Sequence, residues 1–141
     1  MLVNIDGIET VETVLGSLEI NSCYSLTALD GLDGITTVGG DLRIGSDMNL
    51  TSLAGLNGVT EVGGDLSIGA NYDLPSIDGL TGVTSVLGRL SVSYNQVLTS
   101  AIGLSNITTV GGDLSLLQND LFTNFEDLAG ITSVGAGGFV V

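Results

Sequence analysis

The chain repeats itself every 24 residues. Leu2, Leu26, Leu50, Leu74, Leu98 and Phe122 stand 24 apart throughout, and with that column fixed the others align without a gap as far as the last repeat. The seventh column reads Ile8, Leu32, Leu56, Leu80, Leu104, Leu128, and the tenth Val11, Ile35, Val59, Val83, Ile107, Ile131. The thirteenth is valine in every copy, from Val14 to Val134. A unit this short cannot bury its own aliphatic residues. Stacked on copies of itself it can, and identical side chains then meet identical surroundings. The repeat therefore restricts the chain to one quasi-one-dimensional domain over residues 1–141, divided 2–25, 26–49, 50–73, 74–97, 98–121 and 122–141.

Two periods coexist within each repeat. Column 17 (Leu18, Leu42, Leu66, Leu90, Leu114) and column 19 (Ile20, Ile44, Ile68, Val92, Leu116) flank a polar position, the alternation of a strand with one buried face. Columns 1, 4, 7, 10 and 13 recur every third residue. That spacing suits extended or tight-turn edges rather than an amphipathic helix of period 3.6, and interspersed glycines oppose helix as well. The expected fold is mainly β: a right-handed solenoid of six coils, one short strand per coil, few or no helices. Its strands stack in parallel at about 4.8 Å.

Column 22 reads Cys23, Asp47, Asn71, Asn95, Asn119. A buried amide at that place can donate and accept to backbone groups of its own and the next coil, so the column is expected to be a structural ladder. Cys23, the only cysteine, then fills the first rung; alone it can make neither an internal disulfide nor a thiolate metal site.

These columns resemble leucine-rich repeats, whose ladder position takes Asn or Cys. Two spacings differ from the common pattern: "NYDL" puts two residues between ladder residue and next leucine, and "VGGDL" puts valine and leucine four apart. Both are similar to the receptor L-domain type, and Val62, Gly64, Leu66, Ile68, Asn71 and Leu74 follow that pattern position for position. The resemblance spans Leu2 to about Val134. It implies an extracellular or cell-surface binding module, and the repetitive "GLxGITxVGGDL" coils look like those of microbial surface proteins.

Charge and composition narrow the function. Sixteen Asp and Glu against two Arg, with no Lys or His, give a net charge of −14. Such a chain repels phosphate backbones and anionic bilayers, so neither nucleic acid nor membrane insertion is expected. The usual general bases and nucleophile partners are missing, and Ser and Thr have nothing to activate them; no enzyme activity and no cofactor is expected. Asp41, Asp65 and Asp113 share column 16, but an Asp after Gly-Gly is expected to bond turn amides. Asp6, Asp30 and Asp78 share column 5, interrupted by Ala54 and Ile102, so no specific metal site is expected there. Arg89, between Asp65 and Asp113 in the stack, and Arg43, next to Glu19, are expected to relieve like-charge stacking.

Two surfaces remain as candidates. Ser67, Ser91 and Ser115 in column 18, with Arg43 and Asp65 beside them, form a small-residued strand face suited to docking a protein or surface ligand. Thr36, Thr60, Thr84, Thr108 and Thr132 form a regular column, the basis of an alternative reading as an ice-binding face. The primary expectation is a non-catalytic module for protein binding, adhesion or self-assembly. Finally, Leu2, Val3 and the polar residues after them make no signal peptide. Neither end reads as a polar cap. One extra residue in "VGAGGFVV" would bring Phe139 and Val141 onto the strand columns. Either the chain is a piece of a longer repeat protein, or copies stack head to tail into a filament.

Overall fold

The computed structural model describes residues 2–141. Each repeat contributes a two-residue strand and a second, usually longer one. The short strands are β1 (Thr13–Val14), β3 (Thr37–Val38), β5 (Glu61–Val62), β7 (Ser85–Val86), β9 (Thr109–Val110) and β11 (Ser133–Val134). The others are β2 (Leu18–Asn21), β4 (Leu42–Gly45), β6 (Leu66–Gly69), β8 (Leu90–Ser93), β10 (Leu114–Ser115) and β12 (Phe139–Val140). Each set forms its own six-stranded sheet, with neighbours from successive repeats. The strands pair in parallel in 24-residue register, as in Leu42↔Leu66 and Ile44↔Ile68. The last pair is offset by 25, Leu114↔Phe139, so the extra residue of "VGAGGFVV" is absorbed before β12.

The fold is thus a mainly β stack of parallel strands, as the columns predict, with one correction. The sequence reading expects one strand per coil; the structure has two. The second lies in columns 12 and 13, where a two-residue Thr-Val, Ser-Val or Glu-Val step sits inside the three-residue periodicity and leaves no alternation to read.

Between the sheets the chain turns through single 3-10 turns at Asp30–Leu32, Ala54–Leu56, Asp78–Leu80, Ile102–Leu104 and Glu126–Leu128. Their period of three explains why columns 4, 7 and 10 all face inward. Four of the five turns are started locally: Ser52, Ser76 and Ser100 Oγ accept the N–H two residues on, at 3.1–3.2 Å, and Asn124 Oδ1 does so at 2.9 Å. No helix among the described residues is long and apolar enough to cross a membrane.

The core is the predicted set of columns. In the second repeat Leu26, Leu29, Leu32, Ile35, Val38, Leu42 and Ile44 are all at most 1% exposed. Burying each such side chain contributes about 1.5–3 kcal/mol, and no aromatic ring shares that layer. The turn after each longer strand is less expected. Ser22, Ser46, Ala70, Tyr94 and Gln118 all adopt φ between 53° and 59°, the left-handed region, without a glycine among them. Each costs about 1 kcal/mol or more. The geometry persists because the N–H groups of Ser22, Ser46, Ala70 and Tyr94 bond the carbonyl of the next repeat at 3.0 Å, and the residue that follows each is a ladder rung.

Candidate functional site

The strand face is built by β2, β4, β6, β8 and β10. Their buried leucines and isoleucines force the alternate residues outward, and the parallel register lines these up as Glu19↔Arg43↔Ser67↔Ser91↔Ser115. The three serines are half-buried at their bases, so the face is shallow. Neighbouring positions carry Gly45 and Gly69, which keep it flat. At one end Arg43 is tied down: its Nη1 meets Glu19 Oε1 at 2.9 Å and its Nη2 meets Asp41 Oδ2 at 2.6 Å, with Asp65 Oδ2 at 3.9 Å. These partners hold the guanidinium above its ordinary pKa, the Glu19 hydrogen bond most of all. Arg89 Nε lies 3.7 Å from Asp113 Oδ2 on the same side. The structure therefore brings Arg43, Asp65 and the serines together, with the charged pair at one end and the hydroxyls running along the rest.

Column 16 works as an outer ladder. Asp41 Oδ1 accepts the Asp65 N–H at 2.7 Å, and Asp65 Oδ1 accepts the Arg89 N–H at 2.8 Å. Ser17 Oγ does the same for Asp41 N–H at 3.0 Å. One oxygen of Asp41 and one of Asp65 are thus committed to the backbone, the turn role expected of an Asp after Gly-Gly. No group of three or more His, Cys, Asp or Glu among the described residues is placed to hold a metal ion.

The threonine column is exposed at Thr36, Thr60, Thr84, Thr108 and Thr132. Its hydroxyls point along the stack: Thr36 Oγ1 donates to Glu12 O at 3.1 Å, Thr60 to Thr36 O at 3.2 Å, Thr84 to Thr60 O at 3.3 Å and Thr132 to Thr108 O at 3.2 Å. Each of these four backbone N–H groups reaches that same carbonyl. The hydroxyl protons are used within the chain, leaving methyls and oxygen lone pairs for solvent. A second threonine column escaped the sequence reading. Thr51 Oγ1 donates to Thr27 O at 3.2 Å and Thr99 Oγ1 to Pro75 O at 3.3 Å. Pro75 interrupts the column, and that break hid it.

The inner ladder joins the repeats inside the stack. Asn71 and Asn95 are fully buried and Asn119 is 8% exposed. Asn71 Nδ2 donates to Ile44 O at 3.1 Å, Asn95 Nδ2 to Ile68 O at 3.1 Å and Asn119 Nδ2 to Val92 O at 2.8 Å. In the same direction, Asn71, Asn95 and Asn119 Oδ1 accept the N–H of Asp47, Asn71 and Asn95. Cys23 takes the first rung, packed against the core with its thiol on Asn21 O at 3.6 Å. Burial pushes that thiol up, away from reactive thiolate.

At the C-terminal end an apolar cavity of about 310 Å³ is lined by Leu114, Phe125, Leu128, Ile131, Val134 and Phe139. Phe125 stacks edge-on against Phe122 and Phe139, with centroids 5.3 and 6.4 Å apart. It lies beside β11 and β12, the edge strands at that end of the two sheets.

These features define the class as a parallel β repeat solenoid. Compared with family models, curated proteins and solved structures, the chain matches none of them.

Proposed function

We propose that the chain is a non-catalytic repeat module of a cell-surface or extracellular protein, whose strand face docks a protein or surface ligand. One observation carries this reading: Ser67, Ser91 and Ser115 lie in register on adjacent parallel strands, forming a shallow row bounded by the Arg43–Asp41–Asp65 charges. Small side chains lose little conformational entropy on docking, and the fixed charge pair at one end can set orientation. The likeness of the Val62–Leu74 stretch to receptor L-domain repeats supports the same assignment. Self-assembly is a variant of it, in which a second copy covers the exposed apolar residues at Phe125 and Phe139.

The test is capture of surface-extract proteins on the immobilised chain. The Ser67→Arg/Ser91→Arg variant should retain the wild-type circular dichroism spectrum and lose the captured species. Unchanged capture by that folded variant would remove the strand face from consideration. The rival reading is ice binding by the column Thr36 to Thr132, whose shared hydroxyl geometry makes a regular array. Thermal hysteresis that disappears in Thr84→Tyr would favour it over docking on the strand face.

A further inference from the structure

Column 22 holds asparagine at positions 71, 95 and 119 but aspartate at 47. Each asparagine uses both ends of its amide, the oxygen for a rung N–H and the nitrogen for a strand carbonyl one repeat back. Asp47 reproduces the first half, since its Oδ1 accepts the Cys23 N–H at 2.5 Å. The second half needs a donor, and an ionised carboxylate has none. Asp47 is fully buried, and its Oδ2 has no hydrogen-bond partner among the described residues. The acceptor that corresponds to Ile44 O for Asn71, 27 residues back, is the Ile20 carbonyl. Two dry acceptors facing each other would repel.

The geometry points to a protonated rung: Asp47 keeps its proton in the folded chain and donates it to the Ile20 carbonyl, and loss of that proton at raised pH loosens the first repeat, residues 2–25, from the stack. The surroundings favour the neutral form. Burial pushes the Asp47 carboxyl up, more than the Cys23 N–H lowers it. On the rung before, the Cys23 thiol is itself raised. On the rung after, Asn71 is uncharged and accepts the Asp47 N–H at 3.3 Å. Among the charged groups of the adjoining strands, Glu19 and Arg43 stand on the outer face, bonded to each other. Tyr24 and Asp73, beside the rungs, are exposed. Neither arginine among the described residues is free to hold a carboxylate at Asp47: Arg43 is occupied by Glu19 and Asp41, and Arg89 lies beside Asp113. The first repeat also leaves Leu2, Val3, Ile8, Val11 and Leu15 exposed, so little apolar burial opposes its opening.

The direction of the pH effect follows from linkage. A carboxyl whose folded pKa exceeds its unfolded value of about 3.9 contributes stability that is full below that value and is lost as pH rises through the folded one. The first repeat should therefore be firmest in acid.

Hydrogen exchange on the full chain from about pH 4 to about pH 9, corrected for intrinsic base catalysis, reads this directly. Protection of amides in residues 18–25 should fall about tenfold or more in the wild type as pH rises, the effect of one buried bond lost. In Asp47→Asn, whose amide donates at every pH, protection should stay level. Infrared spectroscopy should show one protonated-carboxyl band in the wild type that outlasts the exposed acids and is absent from Asp47→Asn. The same pH-dependent loss in Asp47→Asn, or no such band, would overturn the proposal.

Discussion

Gly79→Ala should destabilise the chain by about 3–5 kcal/mol, a large part of the about 5–15 kcal/mol available to a domain. Gly79 sits in the 3-10 turn Asp78–Leu80, and a Cβ there would fall on the Leu53 carbonyl oxygen of the preceding turn. The obstacle is backbone, and it is held by its own repeat on the other side, so neither turn can yield without parting the stack. The melting temperature should drop by about 10 °C or more. Gly16→Ala is the control, because nothing lies within 4 Å of a Cβ there; it should be close to neutral. The last repeat shows when the column relaxes. There Asp127 replaces glycine and turns its carboxylate back to accept the Ala101 N–H at 2.9 Å. The same carboxylate accepts from the Ser100 hydroxyl at 3.3 Å, so the side chain that replaces glycine there brings bonds across the repeats. An alanine at position 79 would bring none.

Asn95→Ala should cost about 3 kcal/mol or more, read as the shift of the urea midpoint at constant slope. The truncation leaves the Asn71 N–H without its acceptor and the Ile68 carbonyl without its donor, in a site closed to water. It also removes the bond from Asn95 Nδ2 to Asn119 Oδ1, 3.2 Å long. Asn119→Ala should cost less, because that rung is 8% exposed and water can replace part of what is lost. Equal losses at the two positions would mean that burial does not set the strength of the ladder.

Much of this architecture is legible in the residues because the repeat supplies its own alignment. Leu42 and Ile44 announce a strand by flanking Arg43, and Val38 recurs at every repeat because its surroundings do. Asn71 and Asn95 are readable as rungs, since a polar column amid aliphatic ones must satisfy backbone groups. Other features leave no such trace. The left-handed turn at Ser22, Ser46, Ala70 and Tyr94 is dictated by bonds to the next repeat rather than by residues that prefer it. The strand Thr37–Val38 is too short to alternate. The unpartnered oxygen of Asp47 is a matter of how closely the neighbouring repeats pack around it, which no single column shows. At the candidate site, the serine row was legible from spacing. The occupation of Arg43 by Asp41 as well as Glu19 was not, because it joins different columns.

The central claim is that the 24-residue repeat is the physical unit and that the stack is held by register from one repeat to the next. Deletion of residues 74–97 tests it most directly. Joining Asp73 to Leu98 restores every column: Leu66 meets Leu114, Asn71 meets Asn119, and Leu56 meets Leu104. The shortened chain should unfold in one cooperative urea transition, with a β-type spectrum and a lower midpoint. A deletion one residue shorter, 75–97, shifts every column after it and turns the strand residues of β10 to the wrong face, so it should lose the transition. Equal damage from the two deletions, or loss of folding on removal of 74–97, would contradict the account.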